Sequence, residues 1–288
     1  MRIHSALAVA CLSTLSISGA LADPLPVVAV NREIGLSMAG LFDNRVNGGS
    51  AIENTNATNY TPAYTARYHS RHRRIGWVPG FQVDASGMFT LGNVENIYAA
   101  AQFVLGSGSR NYKSNYTYTG SPYGNFSDEY GGGSGSHSTY TRGEIGKGFL
   151  VLQDRLLLTP FAQGGYITED EYGYGDDGSS TFVGAGLKAD YALTSRLVLR
   201  GRFGWAAQLE RRFMFRGGVQ SRWEGGLGLD YRMTRHFHLI GGGDYVYSDY
   251  GHGTTRYSYG GAYGGSGIES AGAYQNGLVL HTGLAYRY

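Results

Sequence analysis

The chain has 288 residues, 24 lysines and arginines against 22 aspartates and glutamates, and a formal net charge of +2. That balance leaves no basic footprint for nucleic acid, which is excluded as a partner. Its 47 glycines and 24 tyrosines, with no apolar run of about 20 residues, argue against helical membrane spans and against an ordinary α/β enzyme.

Residues 1–22 read as a secretory signal peptide, with Arg2 in front, an apolar stretch from Ala6, and Ala20-Leu21-Ala22 ahead of Asp23. Ser13, Thr14, Ser16 and Ser18 interrupt the stretch, which tells against a membrane anchor. Cys11, the only cysteine, falls inside this leader. The remaining domain, 23–288, is therefore expected to have no disulfide or thiol chemistry, and a metal site would have to use histidines and carboxylates. No metal and no cofactor is expected.

After Asp23, ten segments of alternating character follow, near 32–43, 76–89, 96–106, 143–152, 157–168, 181–192, 197–209, 220–232, 237–248 and 276–288. Each has about the 9–12 residues that a tilted strand needs to cross a bilayer. The first sets Ile34, Leu36, Met38 and Phe42 against Glu33. In the second, Trp77, Phe81, Val83, Ala85 and Phe89 oppose Gln82, Asp84, Ser86 and Met88. The fourth and fifth are weaker, and Pro160 in the fifth requires a bulge or a rim position. The seventh sets Leu197, Leu199, Phe203 and Trp205 against Arg200 and Arg202, and the eighth sets Trp223, Leu227, Leu229 and Tyr231 against Glu224, Asp230 and Arg232. Trp77, Trp205 and Trp223 are expected to face lipid at one interface, and Tyr191, Tyr231 and Tyr288 at the other.

Connections alternate as well. They are short after even-numbered segments and longer, rich in Gly, Ser, Tyr and Asn, after most odd-numbered ones; the longest loop is expected from about Ser107 to Arg142. "DYALTSRLVLRGR" from Asp190 returns 40 residues later as "DYRMTRHFHLIGG" from Asp230. A repeated hairpin of this kind builds an up-and-down barrel. The fold class expected is all-β: a transmembrane antiparallel barrel of about ten strands, with short periplasmic turns and long extracellular loops.

The chain ends in "HTGLAYRY", with Tyr288, Tyr286, Leu284, Leu280 and Leu278 on one face and Arg287, Ala285, Gly283, His281 and Val279 on the other. This octet resembles the assembly signal of outer-membrane barrels, carried here by His281, Gly283, Tyr286 and Tyr288. The domain as a whole resembles small outer-membrane β-barrels of the OmpA and opacity-protein kind. The resemblance implies a bacterial outer-membrane location after signal cleavage, insertion by the barrel assembly machinery, and contact with outer-membrane lipid and lipopolysaccharide. It says little of function, since such barrels host adhesins, enzymes, pores and scaffolds.

Inward positions carry Glu33, Asp84, Lys188, Asp190, Arg200, Arg202, Glu224, Asp230, Arg232, Asp244, His281 and Arg287, nearly balanced in sign. Balanced charge in a narrow lumen suits a paired plug better than an ion path. Glu33 and Arg287 are expected to meet where the first and last strands close the ring. An omptin-like surface protease would need convergent acids and a histidine at the outer rim. The candidates are Asp128-Glu129, Asp170-Glu171, Asp176-Asp177, and Asp249 with His252, but loop solubility is the better explanation of these acids. The neighbours His69-Ser70 and His137-Ser138 lack a third member for nucleophilic catalysis. His236 and His238 read as turn residues.

The stretch HSRHRR, with Arg71, Arg73 and Arg74, and the group Arg211, Arg212 and Arg216 lie at the outer strand ends, where forked guanidiniums match lipopolysaccharide phosphates. The function expected is non-enzymatic: surface interaction or adhesion through an unnamed extracellular ligand, or envelope structure. A small diffusion channel is the alternative.

Overall fold

The computed structural model describes residues 24–58, 62–122, 124–171, 178–209, 220–259 and 265–288. Eleven strands follow a single-turn helix, α1 (Pro26–Ala29): β1 (Glu33–Thr55), β2 (Tyr64–Leu91), β3 (Val94–Thr119), β4 (Phe126–Lys147), β5 (Phe149–Val151), β6 (Leu156–Glu171), β7 (Gly178–Ala192), β8 (Leu197–Gln208), β9 (Gln220–Arg232), β10 (Phe237–Tyr259) and β11 (Gly265–Arg287). Each strand but β4 and β5 pairs antiparallel with its chain neighbours, β11 returns to β1, and β4 and β5 both pair with β6. The result is a closed ring of ten strands, in which the short β5 carries on from β4 beyond Gly148.

Alternation decides which way each side chain points. Along β1, Glu33, Ser37, Leu41, Asp43 and Arg45 are buried inside, whereas Met38 is 80% exposed outside. Trp77, Trp205 and Trp223 all lie on the outer wall, as expected, and so do Tyr231 and Tyr288 at the opposite end. Ile34, Leu36, Phe81, Phe103, Ile145, Leu187, Phe203, Leu227, Leu239 and Leu284 fill the belt between them. A belt this apolar, on a sheet with no free edge at that level, suits hydrocarbon surroundings.

Both prolines of the ring occupy gaps in a ladder. Pro79 falls where the β2–β3 pairing lapses between Ile75 and Gly80, and Pro160 falls between the last β4–β6 pair and the first β5–β6 pair. A residue without an N–H is tolerated where no partner awaits it.

The short connections at one end are built alike. In 193–196 the Thr194 hydroxyl accepts the N–H groups of Arg196 (3.1 Å) and Leu197 (3.0 Å). In 233–236 Thr234 does the same for His236 (3.3 Å) and Phe237 (2.9 Å). The 40-residue echo in the sequence is thus one turn used twice.

The opposite end departs from expectation. The expected long loop shrinks to the connection 120–125; residues 107–119 and 126–142 continue β3 and β4 in register, from Ser107 opposite His137 to Tyr118 opposite Phe126. β1, β2, β10 and β11 extend likewise. Among the described residues, β4 pairs with β6 only over 136–146, and β10 with β9 only over 238–249. Six neighbouring strands, β4-β3-β2-β1-β11-β10, therefore rise as a half-wall above the shorter strands β6 to β9. From Phe103 in the belt to Thr119, β3 runs roughly 50 Å at about 3.3 Å per residue.

Candidate functional site: the filled lumen and the half-wall

At the short-turn end the chain enters through the lumen. Pro26 starts α1 at a position where its missing N–H is no loss. Val27, Val28 and Val30 then pack among Met88, Tyr98, Leu157, Ala192 and Val198, an apolar cluster inside the ring. Asn31, wholly buried, donates to the Val27 carbonyl (2.8 Å) and to Asp190 Oδ2 (2.9 Å) and accepts from Lys188. The Arg32 Nε donates to the Met88 carbonyl at 2.7 Å. The segment from Pro26 to Arg32 is thus fastened across the lumen by apolar packing and by hydrogen bonds at its far end.

Above this floor the charges pair. Arg200 reaches Glu33 Oε1 at 2.7 Å, Asp190 Oδ1 at 3.5 Å and Asp230 Oδ2 at 3.7 Å. Arg142, Arg202 and Arg222 converge on Glu224 at 3.2, 3.2 and 2.5 Å, and Arg142 and Arg202 also hold Glu144 at 2.9 and 3.0 Å. Higher still, Asp43 receives Arg74 at 3.0 Å and the Gln275 amide at 2.7 Å, with Arg110 at 3.8 Å. Two cavities of about 140 and 110 Å³ remain, one lined by Asp84, Gln102 and His281, the other by Gln82, Arg110 and Ser138. Alternating acid and base across so narrow a section fit a filled lumen, as the inward charge balance implied.

Glu33 stands opposite Arg287 in the β1–β11 register, as expected at the seam. Its closest ion pair, however, is with Arg200 from across the lumen. His238 is corrected from turn residue to luminal residue: it is 1% exposed, with Nδ1 2.7 Å from Asp230 Oδ1. Glu33, Asp230 and His238 offer ligand atoms within 4.8 Å of one another. Arg200 pairs with both carboxylates, which makes the group an ion-pair cluster, although Glu33 Oε2 and His238 Nε2 are buried without a hydrogen-bond partner among the described residues. The alternation of β10 carried the signal for His238, since it shares a face with Asp244.

The rim candidates separate. Asp249 turns back to accept the Gly251 N–H at 2.8 Å, while the ring of His252, beyond a β-bulge, lies over Gly272 on the outer wall. Asp128 accepts the Glu129 N–H, and Glu129 pairs with Lys113 at 2.6 Å. His69 points out and Ser70 in, and His137 and Ser138 are likewise neighbours on a strand, so neither pair shares a face. Asp176, Asp177, Arg211, Arg212 and Arg216 lie outside the described residues, as do the side chains of Asp170 and Glu171.

Of the basic stretch, Arg71 and Arg73 are exposed on the outer wall. Arg74 is not: it is 6% exposed and bound to Asp43 in the lumen, because a strand cannot aim two consecutive residues at one face. Of the terminal octet, Tyr286 and Tyr288 face outward. Gly283 has a packing reason, since a Cβ there would press into the Leu36 carbonyl oxygen and the Ser37 backbone across the seam.

The inner face of the half-wall is aromatic. Tyr116 and Tyr130 stack with centroids 5.6 Å apart and share a hydroxyl hydrogen bond of 2.8 Å. Tyr68 and His72 lie 6.1 and 5.1 Å from Tyr116, and Tyr112 lies 6.3 Å from Tyr130. Burial holds His72 below the ordinary imidazole range, so it is neutral at pH 7, with Nδ1 2.8 Å from the Ser114 hydroxyl. The patch offers flat rings and hydroxyls, with Asp128 opposite Tyr116 on the same face.

No protein-family model matches the chain, and neither does any curated protein. Among solved structures it is similar to the outer membrane protease OmpT from Escherichia coli, at 12% identity and a TM-score of 0.43, covering 90% of this chain and 98% of that one. The translocator domain of the autotransporter NalP from Neisseria meningitidis gives 15% and 0.32, covering 88% of each chain. An anion-selective porin from Comamonas acidovorans gives 9% and 0.28, covering 89% of this chain and 100% of that one. These neighbours are outer-membrane barrels of different activities, so the likeness selects none of them, and the narrower OmpA and opacity-type resemblance stays a resemblance. The ring itself rests on the chain's own strand pairing.

Proposed function

We propose that this chain is an integral bacterial outer-membrane barrel that works as a non-enzymatic surface-interaction protein, with the half-wall as its contact surface. The observation that carries this reading is the tyrosine-rich patch on a tall, paired wall above the belt. Tyrosines held by neighbours give contact area at low entropic cost, which is how binding surfaces rich in Tyr, Ser, Gly and Asn operate. The channel alternative is less favoured, because the α1 segment and the luminal ion pairs occupy the section that a solute would need.

The test is display of the chain on cells that lack it, followed by adhesion to immobilised mucin and matrix glycoproteins. Wild-type cells should adhere, and a Tyr68→Ala/Tyr116→Ala/Tyr130→Ala variant at equal surface level should not. Equal adhesion by cells with and without the chain would overturn the interaction role.

A further inference from the structure

The outer face of β2 carries a column of basic side chains that the lumen does not use. Arg67, His69, Arg71 and Arg73 alternate with inward Tyr68, Ser70 and His72, and all four are exposed. Alternate residues on a strand are about 6.6 Å apart, so the column has a regular pitch. Next in line on the same face come Ile75 and Trp77, the latter 50% exposed and tilted against Phe42 at 5.3 Å. The column therefore begins where the apolar belt ends.

Its flanks are neutral. Gly48, Ser50 and Ile52 of β1 stand opposite Arg71, His69 and Arg67, and Asn115, Thr117 and Thr119 of β3 stand on the other side. Lys113, opposite Arg73, is occupied by Glu129. The Arg73 Nε donates to the Asn44 side chain at 2.9 Å, which holds its guanidinium against the wall. Beside the column an open groove of about 530 Å³ runs over β1 and β11, lined by Ser50, His69, Arg71, Thr254, Ser270 and Tyr274. Its floor is bare at Gly48, where a Cβ would fall on the Ser70 carbonyl oxygen.

We propose that this face binds lipopolysaccharide, with phosphates on Arg67, His69, Arg71 and Arg73 and the adjoining sugars in the groove. Charge complementarity argues for it: three arginines in a row, with no acid opposite them, match a polyphosphorylated headgroup at the height where the belt gives way to polar side chains. A glycolipid also accounts for the groove, because Ser50, Thr254, Ser270 and Tyr274 suit sugar hydroxyls and a free phosphate would not use them. This residue set differs from the one the sequence suggested, in which Arg74 took part. It rests on the proposed outer-membrane setting.

The test uses the full chain extracted from membranes in mild detergent, with bound lipopolysaccharide quantified after gel filtration. Wild type should retain it, and less so as salt rises. An Arg67→Ala/Arg71→Ala/Arg73→Ala variant should retain at least about tenfold less, given what charge-assisted hydrogen bonds contribute. Dephosphorylated lipopolysaccharide and phosphatidylglycerol vesicles should each bind wild type more weakly. Equal retention by a variant that fractionates with the outer membrane and keeps heat-modifiable mobility would overturn the ladder and leave the barrel standing. Equal binding of phosphatidylglycerol would overturn the glycolipid and leave a general anionic surface. Recovery of wild type only from the soluble fraction would overturn the outer-membrane reading and this one with it.

Discussion

Arg200 shows how a single side chain holds the lower lumen. Three carboxylates from β1, β7 and β9, those of Glu33, Asp190 and Asp230, lie within 4 Å of its guanidinium, and each is at least 95% buried. A buried acid is tolerated where an opposite charge and hydrogen bonds satisfy it, and removal of one partner exposes the whole desolvation cost. Arg200→Ala should therefore destabilise the folded barrel by about 3–5 kcal/mol, whereas Arg200→Lys, which keeps the charge, should lose less. Urea unfolding in micelles, followed by tryptophan fluorescence, measures both. The first and last strands made Glu33 and Arg287 legible as luminal partners, and their register is as expected. Arg200 escaped the seam argument because it reaches Glu33 from the far wall, and alternation fixes which side of a strand a residue faces, not what stands across the ring.

At the scale of elements, hydrophobic alternation made the strands legible wherever one face meets the belt. It failed above the belt. Along 107–119 and 126–142 the buried inward positions include Arg110, Ser114, Ser134 and Ser136, polar like the outward ones, so no period of two in hydropathy survives. Paired strands consequently read as a long loop, and Arg74 and Arg110 fell outside the assigned strands. The segment from Pro26 to Val30 escaped for the opposite reason: a few apolar residues behind a leader carry no period at all. Removal of residues 26–30 should strip the apolar cluster from the lower lumen and lower the unfolding midpoint in micelles, while the ion pairs above it should keep planar-bilayer recordings free of conductance steps. The seam offers a second test. Gly283→Val would force β11 away from β1, so it should lower the unfolding midpoint of the assembled barrel. Tyr288→Asp would lose one hydrogen bond, from its hydroxyl to the Ser86 carbonyl at 2.8 Å, and place a charge at the belt's edge, which costs about 0–1 kcal/mol. Stability should barely change, while the amount reaching the membrane should fall several-fold, as immunoblots of membrane fractions would record.

For the whole molecule, the parts agree on one arrangement. Short threonine turns and both described chain ends lie on one side, a belt of exposed apolar side chains encircles the ring, and a one-sided wall rises beyond it. The absence of cysteine after Cys11 gives a clean background for the most direct measurement, thiol labelling of single-cysteine variants in intact cells with a membrane-impermeant maleimide. Thr117→Cys on the outer wall should label at once, and Asn93→Cys in the β2–β3 turn only after the outer membrane is permeabilised. Met38→Cys should resist the reagent in both states, although 80% of Met38 is uncovered in the isolated chain, because hydrocarbon would shield it. Rapid labelling of Met38→Cys, or of Asn93→Cys before Thr117→Cys in intact cells, would contradict the membrane-spanning barrel and its orientation.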